Sequence, residues 1–306
     1  MAKVYRADET FDRSLLAGAS VAFGVFDGVH RGHQFLIDET CATACESGGI
    51  SAVLTFDIDP DERFHPDRLK KLMSNEQRIK ELAQTGVDAV VVLPFTIEFA
   101  SQEPAAFLDS LFKGAVPYAM HVGSDFRFGA RASGEVANLE SWAAHYGMHV
   151  YAHDLKSADG KPITATRIRL LLADGKCEQA IALLGHPYEF EATVEKGRGK
   201  GSDMGFATAN VTLPAMMQVL GEAVYAAWVT MNGKRYKAAM SVGVAPTFAD
   251  AHANCEVHIL DFSGQIYGDT ILVEPVCRLR PMIKFASVDE LIATVNSNIQ
   301  WVRDNL

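Results

Sequence analysis

The stretch Phe23-Gly-Val-Phe-Asp-Gly-Val-His-Arg-Gly-His-Gln-Phe-Leu-Ile37 decides how the first half of this chain is read. It continues the apolar run Ser20-Val-Ala-Phe23, which reads as a strand, and passes through a turn holding Gly24 and Gly28. An amphipathic helix is expected from near Gln34. His30 and His33 stand three apart with Gly32 between them, and at a helix start that spacing puts both imidazoles on one face. The free N–H groups of a helix start favour an anion, and Gly28 and Gly32 let the backbone approach it closely. The assembly suits the phosphates of a nucleotide, with imidazoles able to donate hydrogen bonds as charge builds in a transition state. A zinc site is the competing reading, but no Cys or Glu stands at ligand spacing beside the pair.

Working outward, short apolar strands alternate with helical patterns. Strands are expected at 20–24, 51–56, 88–93, 118–122 and 148–152, and helices at 32–46, 75–85, 103–113 and 135–146. That alternation predicts a Rossmann-like parallel sheet covered by helices, with strands such as Ala89-Val-Val-Val-Leu93 apolar throughout. Ligands of such sheets sit outside the carboxyl ends of the strands, where the His30/His33 turn lies. Two further helical pieces, 164–173 and 176–184, lead to a change of character near Gly185-His-Pro-Tyr188. Beyond it come short alternating strands at 190–195, 224–231, 236–242, 255–261 and 270–276, with Asn232-Gly233 as a hairpin signal. They predict a small antiparallel β-barrel, followed by one helix at 287–304. The expected organisation is therefore two domains, 1–186 and 187–306.

The 306 residues carry a formal charge of −10 and are 48% apolar, enough to build real cores. The acidic balance argues against nucleic acid as a partner, while a nucleotide can still be held by local donors. No apolar run is long enough to span a membrane, and the first residues lack the apolar core of a signal peptide. Five cysteines in no framework pattern fit a reduced, cytoplasmic setting, with Cys41 and Cys45 packing as small hydrophobes. A weak homo-oligomer is compatible with all of this.

Four further constellations carry chemistry. His121-Val-Gly-Ser-Asp-Phe-Arg-Phe-Gly129 places Asp125, Phe126 and Phe128 in one loop. The rings can stack a planar ligand while Asp125 accepts its N–H groups; equally, they can plug the core. Thr166 and Arg169 share a helix face, and an arginine at a helix start is poorly placed for the dipole unless an anion sits between. A solvated surface arginine is the plainer reading. The run Gly197-Arg-Gly-Lys-Gly-Ser-Asp-Met-Gly205 can fold over phosphates or be an ordinary hairpin loop. Thr208 and Asn210 project to the same side of an extended strand, and their oxygens are hard ligands suited to Mg²⁺. Cys255-Glu-Val-His-Ile-Leu-Asp261 alternates, with Glu256, His258 and Leu260 on one face; a carboxylate there is ordinarily just solvated.

Taken together these blocks resemble the bacterial bifunctional riboflavin kinase/FMN adenylyltransferases, the FAD synthetases. Gly-x-Phe-Asp-Gly-Val-His-x-Gly-His-Gln looks like the family's form of the HxGH motif. The resemblance implies ATP-dependent phosphorylation of riboflavin to FMN, then adenylylation of FMN to FAD with release of pyrophosphate. It implies Mg²⁺ as cofactor and riboflavin, FMN, FAD and ATP as the molecules bound. It assigns His30, His33, Arg169 and Glu256 to catalysis, and Asp125, Phe126 and Phe128 to the flavin. Gly24, Phe26, Asp27, Gly28, Thr166, Arg169, Gly197 and Gly205 fall to nucleotide binding, and Thr208 and Asn210 to the metal. Glu256 is then the base for the ribityl hydroxyl.

The chain also departs from the family pattern. Ile58 and Asp59 replace Pro and His. Thr164 and Ala165 replace two serines, and Ala207 replaces a proline. Glu222-Ala223 stands for Asp-Gly, and His186 for a common arginine. The Ala207 and Glu222-Ala223 changes leave open an adenylyltransferase with a decayed kinase half. A non-catalytic flavin or nucleotide sensor on the same scaffold is a further alternative.

Overall fold

The computed structural model describes residues 1–196, 206–214, 216–243 and 254–306. The chain divides into two compact units, one of Met1–Leu69 with Ser74–Thr164, the other of Lys70–Met73 with Ala165–Leu306.

The first unit is built on β1 (Lys3–Arg6), β2 (Ser20–Phe23), α1 (Arg31–Ser47), β3 (Ser51–Phe56), α2 (Pro60–Phe64), α3 (Asn75–Leu82), β4 (Ala89–Leu93), α4 (Ile97–Ala100), α5 (Pro104–Phe112), β5 (Ala119–Gly123), α6 (Val136–Tyr146) and β6 (His149–His153). A two-stranded hairpin follows, β7 (Ser157–Ala158) and β8 (Lys161–Pro162). The six-stranded sheet has the order β1-β4-β3-β2-β5-β6, and every pairing in it is parallel. β2, β3 and β4 are buried along their whole length, as the continuous apolar runs require. The order reverses between β2 and β5, so the crevice outside their carboxyl ends is the switch point of the sheet.

α1 begins at Arg31 rather than Gln34, because His30 itself serves as its N-cap. It buries Leu36, Ile37, Thr40 and Ala44 and packs against β2, β3 and β5. A core of Phe23, Phe56, Phe107, Phe112, Phe128 and Leu139, among others, fills one layer. Sequence periodicity missed β1, whose Lys-Val-Tyr-Arg is mostly exposed and carries no apolar run. Cys45 is exposed rather than packed, and all five cysteines are free thiols.

The second unit comprises α7 (Ala165–Ala173), α8 (Cys177–Leu184), β9 (Phe190–Glu195), β10 (Ala209–Thr212), β11 (Ala223–Met231), β12 (Lys234–Gly243), β13 (Asn254–Ile259), β14 (Thr270–Arg280) and α9 (Val288–Asn305). The strands close into a barrel in the order β10-β13-β12-β11-β14-β9, with antiparallel pairings. β9 alternates cleanly: Phe190, Ala192 and Val194 are buried, while Glu191, Thr193 and Glu195 face out. Asn232 (φ 49°) and Gly233 (φ 72°) both take positive φ, the geometry of a tight hairpin between β11 and β12. α9 packs on the outer face against β12, and Val302 joins Ala226 and Leu260 in a small second core. Leu260 is buried there just after β13 ends at Ile259, short of the expected Asp261.

Candidate functional sites

The turn after β2 is held in a conformation few residues tolerate. Phe26 (φ 59°), Gly28 (φ 76°) and Val29 (φ 35°) all have positive φ, and a β-branched residue there is a genuine outlier. Strain of this kind persists only where the surroundings over-determine it, and it clusters at functional sites. Here Gln34 Nε2 donates to the Val29 carbonyl at 2.8 Å, and Phe26 is buried. Asp27 is buried too, at the heart of the turn.

His30 and His33 do come together. Their rings stack at 3.6 Å between centroids and 15° between planes, and Phe26 meets His33 edge-on at 5.2 Å. His30 Nδ1 accepts the backbone N–H of His33 at 3.4 Å. With Nδ1 accepting, a neutral His30 carries its proton on Nε2. His33 is held well below the ordinary imidazole range, first by burial and then by the adjacent His30. Its Nδ1 is buried with no hydrogen-bond partner among the described residues. Gly32 is what lets the rings pack: a Cβ there would lie 3.1 Å from two atoms of the His30 ring. Gly24 plays the same part for Phe26, whose ring would meet its Cβ at 3.3 Å.

The loop after β5 lies at the other strand of the switch point. Asp125 is exposed, and a Cβ at Gly123 would approach its Oδ1 to 2.8 Å. Phe126 is half-buried, meeting Phe23 edge-on at 5.6 Å and stacking on Phe128 at 5.4 Å. Of the two rings, Phe128 plugs the core against Phe107, while Phe126 keeps exposed surface. Arg127 makes an ion pair with Glu135.

Asp59, which stands where the resemblance led to a histidine, caps α2. Its Oδ1 accepts from the Asp61 N–H at 2.9 Å, and Glu62 completes a capping box. A residue that sequence reasoning passed over lies beneath this region. Arg78 of α3 is only 2% exposed and donates to the Val25 and Phe56 carbonyls, at 2.6 and 2.7 Å. The one local sign of its burial is its place four residues before the core residue Leu82.

In the second unit, Arg169 Nη2 donates to Thr166 Oγ1 at 3.3 Å, so the two do share a face of α7. On the barrel, Asn210 is paired directly with Glu256 of β13 on one side and with Glu195 of β9 on the other. All three stand on the outer face, opposite the buried Val211, Val257 and Val194. Thr208 just precedes β10, two residues from Asn210. His258 Nδ1 lies 2.8 Å from the Ala207 carbonyl, which can only accept, so that nitrogen carries the proton. That bond ties the segment before β10 to β13 without the family's proline. Ala223 is fully buried as the first residue of β11, paired with Val242 in extended backbone, where glycine's freedom is not needed. Gly197 and Gly205 lie outside the described residues.

With this geometry in view, two family profiles match the chain: FAD synthetase over residues 12–167 and riboflavin kinase over residues 184–306. A Listeria monocytogenes protein called bifunctional riboflavin kinase/FMN adenylyltransferase is 34% identical over 92% of this chain and 91% of its own length. The chain belongs to the bifunctional riboflavin kinase/FMN adenylyltransferase family. A Pseudomonas fluorescens protein of the same name is 32% identical over 94% of this chain and 92% of its own. A crystal structure from Streptococcus pneumoniae, described as a macrolide-efflux protein, is 28% identical with a TM-score of 0.83 and covers 99% of both chains. Among the described residues of the present family member, no helix is long and apolar enough to cross a membrane.

Proposed function

We propose that the His30/His33 turn is the adenylyl-transfer centre, and the outer-face pair Asn210 and Glu256 the phosphoryl-transfer centre, of this bifunctional FAD-synthesising enzyme. The chain carries both family domains. In the first step Glu256 takes the proton of the terminal ribityl hydroxyl of riboflavin. The oxygen attacks the ATP γ-phosphorus, and FMN and ADP result. In the second step an FMN phosphate oxygen attacks the α-phosphorus of ATP, the bond to the β-phosphate oxygen breaks, and FAD and pyrophosphate form.

The observation that supports this most is the His30 geometry. Its Nδ1 accepts the His33 N–H, which sets the ring at the start of α1 and puts the proton of a neutral imidazole on Nε2, the donor suited to charge growing on the α-phosphate oxygens. Burial that keeps His33 neutral leaves it one N–H to donate as well. Gly24, Phe26, Asp27 and Gly28 shape the phosphate-facing turn. Asp125 and the exposed surface of Phe126 serve the flavin, with Phe128 backing the ring from the core. Thr166 and Arg169 hold phosphate oxygens, and Gly197 and Gly205 cover the nucleotide of the kinase step.

Thr208 and Asn210 supply oxygen donors only, side by side at one edge of the barrel, the chemistry a hard divalent ion prefers. Mg²⁺ held there supplies neutralisation of phosphate charge. The setting we infer is cytoplasmic, and a weak homo-oligomer remains compatible with it.

Incubating the purified protein with riboflavin, ATP and Mg²⁺ and resolving the flavins by chromatography tests the reading. FMN followed by FAD is the expected result. FAD formed only from supplied FMN would leave the adenylyltransferase alone, and neither product would overturn both assignments.

A further inference from the structure

The strained turn that carries His30 is held at its far end by Gln34 of its own motif, and at its near end by residues outside the motif. The carbonyl of Val25, the residue just before Phe26 enters left-handed backbone, accepts two hydrogen bonds. One comes from Arg78 Nη1 at 2.6 Å and the other from Thr55 Oγ1 at 3.2 Å. The same Nη1 donates to Thr55 Oγ1 at 2.5 Å. Nη2 donates to the Phe56 carbonyl at 2.7 Å and to Asn75 Oδ1 at 3.2 Å. One planar guanidinium thus joins the carboxyl ends of β2 and β3 to the first turn of α3. That helix packs against the Asp27–Val29 turn.

This fork is made for such a junction. It presents several donors in fixed directions, which an ammonium group cannot do. The buried charge is not left uncompensated: the carboxylates of Asp59, Asp27, Glu62 and Asp57 favour the cation, against the burial that disfavours it. Asp59, in the place of the family's histidine, is the first of these. A buried cation with this many satisfied donors, facing several carboxylates, is costly to build, and a surface helix such as α3 gains nothing in solubility from it.

We infer that Arg78 is a positioning residue for adenylyl transfer: by fixing the Val25 carbonyl it sets the Phe26–Val29 turn and so the place of the His30 ring. The inference rests on the reading of the His30/His33 turn as the transfer centre. Arg78 itself touches no substrate. It acts through His30, and Thr55 acts with it.

The test uses the full chain, whose riboflavin kinase activity reports on the integrity of the same molecules. Arg78→Lys keeps the charge and loses the fork. FAD formation from supplied FMN should show a kcat lowered by roughly tenfold to a hundredfold, the scale of a sub-ångström to ångström misplacement, with the KM for ATP little changed. Thr55→Val, a smaller change that removes one hydrogen-bonding group, should lower kcat in the same way but less. It keeps the test decisive should Arg78→Lys unfold the first unit.

The second measurement is a double-mutant cycle with His30→Ala. If Arg78 and Thr55 act through His30, their effects on kcat shrink to near nothing in the His30→Ala background. A full loss in both backgrounds would make the role merely structural and overturn the inference. Normal kcat in Arg78→Lys and Thr55→Val, with His30→Ala impaired, would overturn it while sparing the site. Normal FAD formation by His30→Ala itself would instead overturn the site assignment, and this inference with it.

Discussion

Asn210 on β10 stands directly across the ladder from Glu256 on β13, and both face outward from the barrel. Directly opposed residues of an antiparallel pair have Cβ atoms about 5 Å apart. An amide oxygen and a carboxylate from distant parts of the chain therefore form one polar patch. Beside it, His258 ties β13 to the Ala207 carbonyl.

If Glu256 is the base of the kinase step, Glu256→Gln should lower FMN formation by about a hundred- to ten-thousandfold. Glutamine keeps shape and hydrogen bonding and removes basicity. FAD formation from supplied FMN should be unchanged. Riboflavin phosphorylation at the normal rate by this variant would place the base elsewhere.

Asn210→Ala should act differently. Loss of one oxygen donor should raise the Mg²⁺ concentration needed for half-maximal kinase activity, with partial recovery of rate at saturating metal. A variant with normal metal dependence but slow turnover would point to a role in orienting Glu256 rather than in holding the ion.

Gly32→Ala separates stability from activity. Alanine in place of glycine is ordinarily worth up to about 1 kcal/mol in a helix interior. At this position its Cβ would press the His30 ring at 3.1 Å, with the Ile163 carbonyl at 3.4 Å behind it. FAD formation is expected to fall roughly tenfold or more while the unit stays folded and the kinase step is untouched. A stable variant with normal FAD synthesis would show that the His30 ring has room to give.

His121 makes the first unit sensitive to acid. Its Nδ1 lies 2.9 Å from His153 Nε2, its own Nε2 is buried without a partner among the described residues, and Tyr151 stacks on its ring. Burial first, and His153 second, push it down to about 4 from an ordinary value of 6.5. The folded unit then binds fewer protons than the unfolded chain. The contribution of His121 should be complete above about pH 6.5, fall as pH drops toward about 4, and level out below, for a loss of about 3 kcal/mol. The buried His33 shifts in the same direction and adds to the slope. Urea unfolding across this range should show a shallower decline in His121→Gln; an identical slope would assign the acid sensitivity to other groups.

Much of the molecule is legible locally. Ala89–Leu93 is apolar throughout because both faces of a parallel strand are covered, and Phe190–Glu195 alternates because only one face of a barrel strand is. Asn232-Gly233 announces its hairpin through the two positive φ angles it permits. β1 is not legible, since an exposed edge strand of four residues buries too little to leave a pattern. Nor does sequence tell Phe126 from Phe128. They alternate in the same loop, yet only the packing against Phe107 decides which ring is core.

By itself, then, the sequence determined the periodicities, the turn chemistry and the spacing of His30 and His33, because these depend on neighbours a few residues away. Tertiary structure alone decided three things. It seated Arg78 under the turn, on carbonyl and hydroxyl acceptors as far as 53 residues back along the chain. It set the strand order that brings the β2 and β5 loops to one switch point. It chose the barrel register that puts Asn210 opposite Glu256. Each is a pairing of groups remote in sequence, and only when the cores close are those groups taken out of water and committed to one partner.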